Sequence, residues 1–330
     1  MTRAPKVVLL ILTWNRRDDV LRCVASLSRL TYPDYLPVVI DNASVDGTIA
    51  ALRAGYPDLT IIENAHNLGY AAGNNVGIRW ALEHGADYVL VINNDTEVTP
   101  DMLTELVRVA ESDATIGVVG CRNILMDDPR RLWGAYGVLT YGPFVVRTAG
   151  EGALDSPNWH TVRDVDWVVG NGYLWRRAAL ERIGWLDESF FAYHEDVDWC
   201  LRARAAGFRV VYAGTAAILH KGAAHAEGPQ RHALLTWYIL GRNSVRLVRR
   251  YARWHQAVRF GVLCSGAAAF RLGRALLRRL VPIGGSAGTH AGELWAMEVM
   301  FVRGILDAFR QRPIPFEQLG MAPSARPPFP

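Results

Sequence analysis

Over its first 120 residues the chain alternates short β-rich runs with segments of helical spacing, and that alternation restricts it to parallel crossovers in a doubly wound sheet. KVVLLILTW (6–14), LPVVIDNAS (36–44), LTIIEN (59–64), DYVLVINND (87–95) and TIGVVGC (115–121) have strand character. Between them RRDDVLRCVASLSRL, VDGTIAALRAGY, YAAGNNVGIRWALEHG and DMLTELVRVAES carry apolar residues at helical intervals. In sheets of this kind ligands gather at the carboxyl ends of the strands. Those ends are TWN, DNAS, ENAHN and NND, all polar.

The pattern weakens from 121 to 165, where irregular loops and a hairpin over the ligand face are expected. VDWVVGNGYLWRR returns to strand character, RRAALERIG and HEDVDWCLRARAAG read as helices, and FRVVYAG and AAILH as two further strands. From about 229 the chain turns helical and Arg-rich through 281, with another helix near 291–310. The Pro-rich end RPIPFEQLGMAPSARPPFP reads as extended or disordered. The organisation predicted is an α/β unit over 1–228 and a helical region over 229–330.

Charge follows that division. Residues 229–330 carry 15 Arg and four acids, whereas 1–228 carry 21 Lys and Arg against 28 acids, so a net charge of +4 hides a basic tail on an acidic body. WYILGRNSVRLVRRYARWHQAVRF mixes Arg, Trp and Tyr with apolar positions at helical spacing, the character of a helix lying in a membrane interface. Packing against the first unit or a second copy of the chain is the alternative, as is a plain solvated face. No nucleic-acid partner is expected. The run VVLLIL reads as a buried strand and not a signal peptide. Four cysteines without metal or disulfide spacing suit reduced thiols and the cytoplasm, on the inner face of the membrane if the tail binds there.

Three stretches could carry chemistry. Asn93–Asn94–Asp95 follows a buried strand, where a carboxylate is a hard oxygen ligand for Mg²⁺ or Mn²⁺, or simply part of a turn. DNASVDGT (41–48) places Asp41 and Asn42 where an acid and an amide could read a nucleobase or ribose, while Ser44 or Asp46 caps the next helix. NLGYAAGNNVGI (67–78) opens a helix with small residues that phosphate could approach, though it is no recognised phosphate loop. Finally FFAYHEDVDWC (190–200) sets Glu195, Asp196 and Asp198 among aromatics at a helix start.

It is the order of these pieces that is specific. TWN, DNASVDGT, NLGYAAGNN, NND, LDESFFAYHEDVDWCLRARAAGF and ILHKG, with RN at 242–243, resemble the family 2 glycosyltransferases of GT-A fold, closest in character to rhamnosyltransferase-like and galactofuranosyltransferase-like members. The resemblance spans about residues 6–222. It implies a mixed α/β sheet flanked by helices, with a C-terminal helical extension.

The resemblance also implies roles. Thr13, Asn15, Asp41 and Asn42 match positions that hold the base and ribose of a nucleotide-sugar, with Asn67, Gly69, Asn74, Asn93 and Asn94 beside them. Asp95 matches the last acid of the metal motif, for Mg²⁺ or Mn²⁺, and His220 a histidine that completes that site. Asp196 matches the catalytic base, with Glu195 next to it. Trp167, Gly170 and Asn171 fall in the sugar and acceptor pocket. The metal motif departs from DxD, since Asn93 stands first, so metal affinity would lean on the diphosphate and His220. A base on the acceptor side implies one displacement with inversion, moving a sugar, rhamnose by preference, from a dTDP- or UDP-donor to a glycan or lipid-linked acceptor. Asp196, near a helix N-terminus, is expected to stay ionised and to be a weak base. Transfer to a small aglycone, nucleotidyl transfer and a cleft without turnover are the competing readings.

Overall fold

A computed structural model describes residues 3–221, 231–280 and 287–316. The chain begins as read: β1 (Val7–Thr13), α1 (Arg17–Leu27), β2 (Tyr35–Asp41), α2 (Thr48–Gly55), β3 (Thr60–Glu63), α3 (Gly69–Glu83) and β4 (Tyr88–Asn93). A short β5 (Thr96–Val98), α4 (Met102–Glu111) and β6 (Ile116–Leu125) follow. The weakly patterned stretch yields β7 (Leu132–Gly134), a hairpin of β8 (Gly137–Leu139) and β9 (Val146–Thr148), and β10 (Val162–Asp164). Then come β11 (Tyr173–Arg176), α5 (Arg177–Ile183), α6 (Glu195–Ala205) and β12 (Arg209–His220).

The strands form one sheet in the order β10-β12-β6-β11-β4-β1-β2-β3, with β5 on β12 and β7 on β6. The half built on β3-β2-β1-β4 is parallel. β11 is antiparallel to both its neighbours, β4 and β6, which makes the sheet mixed rather than doubly wound throughout. It is reached from β6 by a long excursion with no crossover helix, so it can enter the sheet from the opposite end. The two strands expected after Arg209 are a single β12, whose register against β6 shifts between Ala213 and Ala217.

Alternation along β1 and β2 sends side chains to two apolar layers. Val8, Leu10, Val38 and Ile40 pack with Ile78 and Ala81 of α3, whereas Val7, Leu9, Ile11 and Val39 pack with Cys23 and Leu27 of α1 and Leu103 and Leu106 of α4. At the far end lie α7 (Arg231–Tyr251), α8 (Trp254–Leu280) and α9 (Ala287–Phe309). Leu247, Phe260, Cys264 and Phe301 from these helices join the same apolar cluster as Trp167 and Trp199. The helical region is therefore packed onto the α/β unit. The boundary expected at 228–229 lies outside the described residues, as does most of the Pro-rich end.

Candidate active site

Register builds the site before any side chain is considered. Thr13 pairs with Asp41, Leu12 with Asn93 and Asp41 with Glu63, so the ends of β1 to β4 meet in one row. Asn94 Nδ2 donates to Thr13 Oγ1 at 3.0 Å. Asn15, at φ 51°, receives the Val45 amide on Oδ1 (2.8 Å) and donates its own amide to Ser44 Oγ (2.9 Å), which fastens the loops after β1 and β2 together. Asp41 is buried; Oδ2 accepts the Ser44 amide at 2.9 Å, and Oδ1 has no partner among the described residues. A buried, unsatisfied carboxylate oxygen at a strand end is a ready acceptor for a ligand hydroxyl or amide.

The amides expected beside Asp41 have other work. Asn42 is buried, its Nδ2 donating to Asn67 Oδ1 and the Gly69 carbonyl, its Oδ1 accepting from Asn64. Asn67 in turn accepts the Gly69 amide at 2.8 Å. The Tyr70 and Ala71 amides both donate to the Phe191 carbonyl, at 2.8 and 3.0 Å, and Asn74 Nδ2 to the Tyr70 carbonyl. The α3 start expected to meet phosphate is thus closed by protein, and Asn42, Asn67, Gly69 and Asn74 act as buried connectors. Gly69 sits at φ +81°, and a Cβ there would run into the Phe191 ring. Gly69→Ala should cost about 2 kcal/mol, from positive φ and overpacking together, read as a lower midpoint in chemical denaturation.

Asp95 lies in the turn between β4 and β5. Because β5 pairs with β12 so that Thr96 faces His220, the Lys221 amide donates to the Asp95 carbonyl (3.1 Å) and His220 Nε2 stands 3.2 Å from Asp95 Oδ1. Burial pushes the Asp95 carboxyl up, but the His220 contact and, more weakly, the Arg16 charge outweigh it and hold it below its usual range. His220 Nδ1 is buried without a partner among the described residues, and the Trp133 ring meets the imidazole edge-on at 4.9 Å. Among the described residues no group of three or more His, Cys, Asp or Glu could hold a metal ion. Asn171, expected in the acceptor pocket, is instead a buried buttress. It accepts the Asn93 amide at 2.9 Å and exchanges hydrogen bonds with Thr96. Trp167 is likewise core, against Gly137.

The acids of α6 divide cleanly. Asp198 is fully buried and takes Arg202, Arg250 and Tyr251, a structural knot. Glu195 is buried with Oε2 unpartnered among the described residues, and its pKa is raised well above the carboxylate range by burial and by Asp196. Asp196 keeps partial exposure, accepts the Val197 amide at 2.8 Å and is raised to about 6 by burial, which outweighs hydrogen bonds from the local amides. The expectation of a weakly basic Asp196 therefore fails, because desolvation outweighs the dipole, while a pKa of about 6 still leaves the group mainly ionised at neutral pH.

Tyr70 joins the two ends of the site. Its hydroxyl stands 2.7 Å from the Gly170 carbonyl and 3.3 Å from Asn93 Oδ1. Its pKa is pushed far up by burial and by the charges of Glu195, Asp196 and Asp95 together. Gly170 lies directly on Asp196, where a Cβ would fall 2.7 Å from Oδ2. Tyr70 was not singled out in the sequence; its place directly after the helix-opening glycine was the signal available. Asn243 was missed in role too. It is buried on α7, and its Nδ2 donates to the carbonyls of Phe190, Ala192 and Tyr193 (3.0, 2.9 and 2.7 Å) in the turn leading into Glu195.

Comparisons with known proteins agree with this architecture. Residues 5–257 match the family described as glycosyltransferase like family 2. An N-acetylglucosaminyl-diphospho-decaprenol L-rhamnosyltransferase of Mycobacterium tuberculosis is 31% identical over 238 residues, 66% of this chain and 76% of that protein. The rhamnosyltransferase WbbL of Escherichia coli is 28% identical over 44% of this chain and 57% of its own length. Among solved structures, the mannosyltransferase PcManGT of Pyrobaculum calidifontis, in complex with GDP-Man and Mn²⁺, superposes with a TM-score of 0.56 at 17% identity, covering 94% of this chain and 89% of its own. GalNAc-T7 with UDP, GalNAc and Mn²⁺ gives 0.60 at 12% identity, covering 96% of this chain and 59% of its own. The chain belongs to glycosyltransferase family 2, built on the GT-A fold.

Proposed function

We propose that this chain is an inverting transferase that moves a sugar, rhamnose by analogy with its relatives, from a dTDP- or UDP-sugar to a hydroxyl of a glycan or lipid-linked glycan. The observation that carries this reading is the bridge Tyr70 makes between Asn93, in the same strand-end turn as Asp95, and Gly170, against which Asp196 lies. Asp41, with its open oxygen, and Thr13 bind the nucleoside at the strand ends. Asp196 takes the proton of the acceptor hydroxyl as the new bond forms, and a pKa near 6 suits a base working near neutrality. One base on the acceptor side gives one displacement and inversion.

Asp95 and His220 would hold a Mg²⁺ or Mn²⁺ ion, whose charge offsets that developing on the departing diphosphate. The Asp95 carboxylate, held below its usual pKa range, with Oδ1 buried, without a hydrogen-bond partner among the described residues and facing His220 Nε2 at 3.2 Å, fits a divalent ion completed by the donor's own oxygens. A thermal-shift panel tests donor and ion together, since ligand at 100 times its Kd stabilises by about 2.7 kcal/mol. One nucleoside diphosphate should raise the midpoint, further with Mn²⁺, and Asp95→Asn should remove the Mn²⁺-dependent part. No response to any nucleoside diphosphate or nucleotide-sugar would end this reading.

The acceptor reading draws on the relative named for a diphospho-decaprenol acceptor and on α8. Trp254, Val258, Val262, Phe270 and Leu277 leave that helix exposed at helical spacing, Trp254 by 79% and Phe270 by 69%, beside exposed Arg253 and Arg259. Among the described residues no helix is long and apolar enough to cross a membrane. An amphipathic helix of this kind lies in the interface, here on the cytoplasmic face of the cell membrane. Co-sedimentation with anionic vesicles should fall as salt rises and should drop about tenfold in Trp254→Glu/Phe270→Glu. Undiminished sedimentation of that variant would remove α8 from the proposal.

A further inference from the structure

A second charged site lies behind the catalytic turn. Arg242, Arg246, Arg249 and Arg250 of α7 and Arg312 beyond α9 line one cavity of about 320 Å³, with Gln311 at its edge and no acid in the lining. Two of these guanidiniums are neutralised: Arg250 pairs with Asp187 and Asp198, and Arg312 approaches Asp307 at 3.6 Å. The other three are not. Arg242 is 8% exposed and donates to the Ser189 carbonyl at 3.1 Å. Arg246 donates to Ser189 Oγ and lies over the Phe190 ring, and Arg249 lies over Phe309. Among the described residues no carboxylate is within ion-pair distance of any of the three.

Guanidiniums crowded without counter-charge repel one another, and the closer they are to burial the larger the cost. The cost is visible at Arg242, whose pKa falls to about 10 through burial and then through Arg246, with Tyr238, Asp187 and Asp307 offsetting only part of it. A chain that keeps such an arrangement has a use for an anion there. The planar forks of Arg match phosphate oxygens two at a time, and several forks converging on a small cavity fit a compact polyanion better than a lone carboxylate.

We propose that this arginine cavity between α7 and the segment after α9 binds a phosphate or diphosphate group. It is separate from the proposed diphosphate site at Asp95: among the described residues its arginines touch the turn that leads into α6 at Asp187, Ser189 and Phe190, and α6 itself at Asp198, and none of them pairs with Asp95. Two sources could present the group, an anionic lipid headgroup or the diphosphate joining a sugar to a lipid, and the second rests on the lipid-linked acceptor reading above.

The test uses the full chain and inorganic pyrophosphate without divalent metal, followed by isothermal titration. Wild type should bind, Asp95→Asn should bind equally well, and Arg249→Gln/Arg312→Gln should bind at least about tenfold more weakly, as expected for loss of charge-assisted pairs. Those two arginines do not hold the catalytic turn, so the variant should keep its midpoint of unfolding. No binding by wild type at millimolar pyrophosphate, or binding lost in Asp95→Asn and kept in the arginine variant, overturns the proposal. Sources are separated by doping neutral phosphatidylcholine vesicles with phosphatidylglycerol or with a polyprenyl diphosphate. The gain over neutral vesicles should appear with one dopant and shrink in Arg249→Gln/Arg312→Gln; equal gains for variant and wild type with both dopants also overturn it. Because pyrophosphate binding stands without any acceptor, failure of the lipid-linked reading would show only in the polyprenyl arm.

Discussion

Asp196→Asn should lower turnover about a thousandfold, the middle of the range for a positioned general base, with the donor affinity unchanged. Asn keeps the shape of the side chain and its place against Gly170, and removes only the capacity to take a proton. The pH dependence follows from the same group. Asp196 titrates near 6 in the folded protein, so kcat/KM of wild type should fall tenfold per unit below that value as the base becomes protonated, and level off above it. Stability moves the opposite way. A carboxyl whose folded pKa lies above its unfolded value favours the fold at acid pH and loses that contribution as pH rises through about 6. Asp196→Asn, which carries no charge to desolvate, should then be at least as stable as wild type at pH 7 to 8. Catalysis lost with stability kept cannot be blamed on misfolding. Glu195→Gln supplies the control. Burial and Asp196 raise the Glu195 pKa well above its ordinary value, further than that of Asp196, so a neutral amide there should cost far less activity. An Asp196→Asn enzyme retaining a tenth or more of wild-type turnover would remove the base from the mechanism.

The parallel half of the sheet was legible because its signals are local. β1 through β4 announce themselves by apolar runs of strand length, and polar residues at their ends mark the ligand edge. Asp95 and His220 come together only because β5 returns antiparallel to β12, a pairing more than a hundred residues apart that no periodicity reports. The same holds for β11, whose direction depends on the excursion before it. The amide-rich loops misled for a chemical reason. Asn is suited both to hold a ligand and to satisfy buried backbone, and at Asn42, Asn67 and Asn171 the backbone and other amides took the bonds. The basicity of Asp196 was underestimated because helix position is written in the sequence and burial is not.

Asn243→Leu should damage the enzyme from a distance, with about 3 kcal/mol of stability lost and turnover down at least tenfold while nucleotide binding holds. Leu has the branched skeleton of Asn and is bulkier, so the change removes the donors without opening a cavity. Three carbonyls of the turn would lose this donor, those of Phe190, Ala192 and Tyr193, the first keeping the Ala192 amide. That turn has particular need of a clamp, since Phe191, Tyr193 and His194 all have positive φ, at 66°, 61° and 72°, where side-chain-bearing residues are strained. The strain is tolerated because it swings the chain sharply into α6, placing Asp196 over Gly170 while the Phe191 carbonyl caps α3. Released, the turn would relax toward ordinary φ values and carry the carboxylate off the acceptor side. The strand-end residues Thr13 and Asp41 are fastened by their own loops and would not follow. A split between kcat, which falls, and nucleotide affinity, which does not, separates this positioning role from general loss of fold. Should kcat hold in Asn243→Leu, the strained turn would be fixed by packing alone and α7 would have no part in aligning the base.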